Sequence, residues 1–252
     1  MKFIKSDKNI SSEVIILAIP IILSNLSRVA MGLADMAMVS RLGTVALAAT
    51  GMGSLLLWVI MSMGIGLRTA VQTVTARRLG QKRYKDCGHA LHNGLLLAVI
   101  VAIPTTILGI YYSYEIAELF LDDVQVIPVC ANYINIGFYG ICFVLIGFAF
   151  QGFYTGVEQT KIHMKVTIIS NLINIYLNAG LIYGSQEVSI FFNNIGLPWV
   201  AVLWQWYDFP ALAVKGAALA TVIASSWMFI QYTFHILNDK IRQYHPFKFQ
   251  FS

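Results

Sequence analysis

The sequence predicts an all-α integral membrane protein, a bundle of six membrane-crossing helices with both ends on the cytoplasmic side. Three observations predict it. First, 58% of the 252 residues are hydrophobic and only 12% are charged. A soluble domain is about 45–50% apolar and about 25% charged, and one soluble core could not hide this much apolar surface. Second, the apolar residues come in long runs rather than in alternation, each near the ~20 residues that a helix needs to cross a bilayer. Third, the basic residues gather between the runs, mostly on one side. This composition excludes a disordered chain, a fibrous one and an ordinary soluble enzyme. The net charge of +5 fits membrane topology, not a basic nucleic-acid face, so no nucleic-acid partner is expected.

The first span, 14–39, follows Lys2, Lys5 and Lys8. Its apolar stretch is too long for a signal peptide and lacks a small-residue cleavage site, so it reads as an uncleaved helix. The second, 45–76, runs into Arg77, Arg78, Lys82, Arg83 and Lys85. The third, 88–112, leads to the acidic loop of Glu115, Glu118, Asp122 and Asp123. The fourth, 127–154, and fifth, 163–184, are joined near Lys161 and Lys165, and the sixth, 212–237, precedes Lys240, Arg242 and Lys248. The opposite loops hold only Arg41 and Lys215. The positive-inside rule then places both ends in the cytoplasm. The 185–211 connection is apolar but broken by Asn193, Asn194, Gly196, Pro198 and Pro210. With Trp199, Trp204, Trp206 and Tyr207 it suits the headgroup zone. It reads as an outside interfacial helix or lid, with a re-entrant segment as the alternative.

Polar groups inside these spans are costly, about 2.5–3.5 kcal/mol for an Asp or Arg near a helix centre, and so mark functional positions. Asp35 stands in the outer half of the first span among Ala30, Gly32 and Ala34. A carboxylate shielded from water holds a proton more readily, and with oxygen ligands beside it can hold Na⁺. A solvated Asp35 at the outer interface is the alternative. In the fifth span Thr167, Asn171, Asn174 and Asn178 recur at helical spacing and share one stripe. Their oxygens suit a small cation; plain interhelical bonding is the alternative. Arg28 lies two turns before Asp35 and is a counter-ion or substrate candidate, while Arg68 is expected to snorkel toward the inner surface.

Other features carry less. Gly51 and Gly53, like Gly64 and Gly66, follow no strand and form no phosphate loop. Gly152 and Gly156 have close-packing spacing. Pro20 and Pro104 interrupt two helices. His89 and His92 are expected at the surface, and Cys87, Cys130 and Cys142 as small apolar fillers. No catalytic triad or zinc spacing is present, so neither an enzyme nor a cofactor is expected.

Several runs together resemble the multidrug and toxic compound extrusion (MATE) family: Met31–Val39 around Asp35, Gln72–Gly80, Asn171–Asn178, and Gly216–Thr221. The resemblance covers nearly the whole chain in order. It implies a cation-coupled antiporter exporting organic, cationic compounds across the cytoplasmic membrane, driven by H⁺ or Na⁺. It also implies twelve helices in two six-helix lobes, of which residues 1–252 would be the N-terminal one. Asp35 would be the cation site, completed by Asn174, Asn178 and Thr221; for Na⁺ the ligands would be Asp35, Asn174 and Asn178. Tyr139 would line the pocket, with Arg28 and Asn171 as further cavity residues.

Three departures stand out. Many relatives place Asp where this chain has Asn178, which removes one charge and weakens the case for Na⁺. Arg28 is unexpected; paired with Asp35 it would hold the carboxylate charged and oppose proton carrying. The chain has half the expected helices, so it is expected to be a fragment or to pair with a second lobe, its own copy or another chain. The other readings are a lipid-linked oligosaccharide flippase of the same superfamily, favoured if Arg28 and Arg68 face the cavity, and a non-transporting truncated membrane protein.

Overall fold

Long apolar runs leave a helix as the one local solution to backbone hydrogen bonding in lipid, and the chain takes it throughout. The computed structural model describes residues 8–236, 241, 243 and 244. Lys2, Lys5, Lys240, Arg242 and Lys248, used above for topology, lie outside the described residues, as does the side chain of Lys8. The elements are α1 (Lys8–Ser40), α2 (Thr44–Gly80), α3 (Tyr84–Tyr111), α4 (Ser113–Phe120), α5 (Val126–Gly156), α6 (Thr160–Tyr183), α7 (Ser185–Asn194), α8 (Pro198–Ala201) and α9 (Val214–Ile236), with a 3-10 turn at Val202–Trp204 before α9. Among the described residues, six helices are long and apolar enough to cross a membrane: α2, α3, α5, α6, α9 and the Val14–Ser40 part of α1. They match the six expected spans to within a few residues. α2 has 37 residues, or roughly 55 Å at 1.5 Å per residue, so it must tilt or project beyond a hydrocarbon core of about 30 Å.

Tight reversals join the spans. Gly43 (φ 103°) turns α1 into α2, Lys82 (φ 59°) turns α2 into α3, and Glu158 (φ 61°) turns α5 into α6. The left-handed region costs a residue with a Cβ about 1–2 kcal/mol, so Lys82 and Glu158 are held there by the packing of the helices they join. α4 was not expected: eight residues with two glutamates are too short and too charged for a periodic signal.

α5 is the central post. It packs against α2, α3, α4 and α9, while α1 lies along α6 and α6 along α9. Ile134, Phe138, Ile141, Leu145, Ala149 and Phe153 of α5 are almost fully buried. The Gly152/Gly156 pair is where α2 comes closest. A Cβ on Gly152 would sit 2.4 Å from the Arg68 carbonyl oxygen, and one on Gly156 2.9 Å from that of Gln72. Small residues permit such backbone contact, a main route to helix association in lipid.

The 185–211 connection forms short helices, α7 and α8, that lie over the end of α6 instead of entering the bundle. Trp204 stacks on Tyr176 (4.9 Å between centroids) and on Phe192 (5.4 Å), and its indole N–H donates to the Tyr176 carbonyl at 3.1 Å. Trp199 and Trp206 are each 71% exposed. One expectation is corrected: His92 is buried, not on the surface, because α3 turns that face toward the core beside Cys87 and Leu91.

Candidate cation site

Asp35 is half-buried on α1 and faces α6. The Asn178 amide nitrogen donates to Asp35 Oδ1 and also to Asn174 Oδ1, the latter at 3.1 Å. Asn174 in turn donates to Thr221 Oγ1 at 3.3 Å, and Thr221 donates to the Ala217 carbonyl at 3.1 Å. One hydrogen-bonded line therefore crosses from α1 through α6 to α9. Asn174 and Asn178 are 1% and 0% exposed, so this line is not a surface feature.

The line exists because α6 repeats its amides every helical turn on the face that α1 and α9 cover. Two further bonds fix α1 on that face, flanking Asp35. Asn171 donates to Ser27 Oγ at 2.9 Å, and the Tyr183 hydroxyl donates to the Met38 carbonyl. Thr167, the first member of the stripe, turns instead to His163, at 3.3 Å.

The arrangement can hold a small cation. Asp35 supplies the charge, and Asn178 Oδ1 is buried without a hydrogen-bond partner. Buried amide oxygens are rarely left so, and this one is a hard oxygen of the kind that Na⁺ takes. A proton on Asp35 needs no rearrangement of ligands. Na⁺ needs amide oxygens turned toward the carboxylate where an N–H now points. Among the described residues no three His, Cys, Asp or Glu side chains stand together.

The structure thus brings together Asp35, Asn174, Asn178 and Thr221, with Asn171 bonded to α1 one turn away. It does not bring in Tyr139, which is 56% exposed on α5 and has no hydrogen bond to this group. The α5 tyrosine that turns inward is Tyr133: it is buried, and its hydroxyl bonds Ser54 Oγ at 3.0 Å. With Thr221, Leu57, Met61, Gly137 and Ala218 it lines a small cleft. Arg28 does not pair with Asp35. The Arg/Lys–carboxylate pair among the described residues is Arg83–Asp86, with His89 Nδ1 3.7 Å from the same carboxylate. Arg68 is part-exposed, and its Nε is buried without a hydrogen-bond partner. The sequence reading missed Tyr133 and a second buried polar group around His163. The only available signal was a Gln and a His inside apolar runs.

Comparison with known proteins bears on this geometry. The MatE family model matches residues 20–179. The chain is 28% identical over 235 residues to a protein of Photorhabdus laumondii described as "Probable multidrug resistance protein NorM", covering 93% of this chain and 47% of that protein. It is 26% identical to "Probable multidrug resistance protein YoeA" of Bacillus subtilis, covering 97% and 48%. Among solved structures, a multidrug resistance MATE family transporter in an outward-facing conformation superposes with a TM-score of 0.73 at 19% identity, over 90% of this chain and 45% of that one. The chain spans about half the length of the curated relatives it matches.

Proposed function

The chain belongs to the MatE family, and from that premise we propose that residues 1–252 form one six-helix lobe of a cation-coupled exporter of organic cations, set in the cytoplasmic membrane. It works against a second six-helix lobe, supplied by more of the same chain, a copy of it or another protein. The observation that carries this reading is the bond from the Asn178 amide to Asp35, beside the unpartnered Asn178 oxygen.

With no cation bound, the Asp35 charge is held by the Asn178 N–H. Arrival of H⁺ or Na⁺ removes that charge and the reason for the bond. Asn178 can then release the carboxyl or present its oxygen instead. The flanking bonds at Ser27 and Met38 keep α1 on α6, so the change acts as a local rotation of α1 and not as its departure. That rotation biases which side the cleft between the lobes opens to, and the lobes rock about the fixed site. Export follows because cation and compound compete for opposite states.

The test is ethidium accumulation in cells producing the chain. Accumulation falls relative to cells lacking it, and Asp35→Asn removes the difference at equal membrane levels. An Asp35→Asn chain that exports like the native one contradicts the reading.

A further inference from the structure

α2 and α5 end in the same way. After α2, the N–H of Lys82 donates to the Leu79 carbonyl at 2.8 Å and that of Arg83 to the Arg78 carbonyl at 2.9 Å. After α5, the N–H of Glu158 donates to the Thr155 carbonyl at 3.1 Å and that of Gln159 to the Tyr154 carbonyl at 2.8 Å. Both are Schellman ends, in which the residue that turns left-handed past the helix is usually glycine. Here it is Lys82 (φ 59°) and Glu158 (φ 61°). Glycine would hold either turn without strain. The backbone bonds close both turns by themselves, so each strained position presents a charge that its own turn does not use. Strain kept in this way marks positions to examine for function.

Both turns line one cleft of about 790 Å³ at the end of the bundle that carries the basic loops, a volume within the roughly 300–1,000 Å³ of small-ligand sites. Gln243 and Tyr244 beyond α9 and Ile16 and Leu17 of α1 complete its walls. Tyr244 is buried, with its ring edge-on to Phe153 (6.1 Å between centroids) and tilted against Tyr84 (6.2 Å), which fixes that wall. Lys82 and Glu158 are the charged residues of the lining, and both are exposed. They do not pair with each other, since the Arg/Lys–carboxylate pair among the described residues is Arg83–Asp86. The cleft therefore carries one cation and one anion that the fold leaves unmatched. Its level is fixed by α1. Ile16 and Leu17 lie within one turn of Val14, where the apolar span begins, and Ile16 is 55% exposed. Charged turns at headgroup depth thus meet apolar side chains at the depth of the first acyl carbons.

We propose that this cleft binds a membrane phospholipid whose headgroup carries both charges and N–H donors, as phosphatidylethanolamine does. The phosphate sits on Lys82, the primary ammonium on Glu158, and the acyl chains run along Ile16 and Leu17. Both polar contacts are charge-assisted hydrogen bonds. Phosphatidylglycerol offers only the first of them. Phosphatidylcholine offers both charges, but its quaternary nitrogen has no N–H to donate. The straddling of the membrane border by the cleft selects a lipid over a soluble zwitterion of the same chemistry. The site lies apart from the Asp35 line and does not depend on the exporter reading.

The test is native mass spectrometry of the full chain, released from maltoside detergent that holds equal amounts of phosphatidylethanolamine, phosphatidylglycerol and phosphatidylcholine with the same acyl chains. The native chain is expected to retain phosphatidylethanolamine over each of the others by about fivefold, the worth of one charge contact at a headgroup. That result needs no variant. Lys82→Gln should lower retention of phosphatidylethanolamine by a similar factor. Glu158→Lys should reverse the order in favour of phosphatidylglycerol, because two cations then face the cleft. Lysine already holds this left-handed position at Lys82, so the variant asks nothing new of the backbone. Equal retention of the three lipids by the native chain, an unchanged order in folded Glu158→Lys, or displacement of the lipid by soluble glycerophosphoethanolamine at matched concentration overturns the proposal. The exporter reading, decided by Asp35→Asn, neither needs this lipid nor falls with it.

Discussion

Asn178 makes two bonds with one nitrogen and leaves its oxygen idle, so it is the residue whose loss separates structure from function. Hydrogen bonds between membrane helices are worth only about 0.6 kcal/mol on average and at most about 1.7. Asn178→Ala is therefore expected to lower stability in thermal unfolding by only about 1–2 kcal/mol, yet to weaken cation binding more than tenfold, as read with radioactive Na⁺ or by proton release. Equal native-like binding would show that the amide merely joins helices. His163→Leu has the opposite profile. It leaves the Gln151 Nε2 group buried without its His163 partner, at about 1–3 kcal/mol, and takes one bond from the buried Tyr232 hydroxyl, so stability falls while the Asp35 response persists. Asp35 was legible in the sequence because a lone carboxylate in an apolar run is expensive wherever it points. The Asn174/Asn178 stripe was legible because helical spacing alone puts both on one face. Tyr133 was not, because choosing between Tyr133 and Tyr139 needs the rotational phase of α5 against α2 and α9. His163 was not either, since its partner Tyr232 is 69 positions away and no local pattern links them.

At the scale of elements, α2 and α5 meet through glycine, so their contact is sensitive to single methyl groups. Gly152→Ala pushes a Cβ into the Arg68 carbonyl and is expected to cost about 1–3 kcal/mol, the range for overpacking; unchanged thermal unfolding would mean that the helices stand further apart. The α5–α6 turn offers the converse. Glu158 sits at φ 61°, and Glu158→Gly should raise stability by up to about 1 kcal/mol by relieving left-handed strain. A fall in melting temperature would show that the Glu158 side chain contributes more than its backbone costs. The six spans were readable to within a few residues because hydropathy over about 20 residues is a long, redundant signal. α4, α7 and α8 were not readable in detail. Their lengths are set by where loops settle on α5 and α6, as Trp204 does on Tyr176.

For the whole molecule, the account places two polar layers in one apolar bundle, Asp35 in the outer half and the His163–Gln151–Tyr232 group in the inner half. That order depends on the orientation set by the basic loops. A cysteine at Asp123 should react with an impermeant thiol reagent added outside intact cells and one at Lys82 should not, in a background where Cys87, Cys130 and Cys142 are replaced. The reverse pattern would invert both layers. The central claim is that Asp35 itself takes up and releases the cation. Infrared difference spectroscopy of the chain in lipid, on lowering pH or adding Na⁺, tests it most directly. The account predicts a change in a carboxyl band that vanishes in Asp35→Asn. Identical difference spectra for the two chains would contradict it.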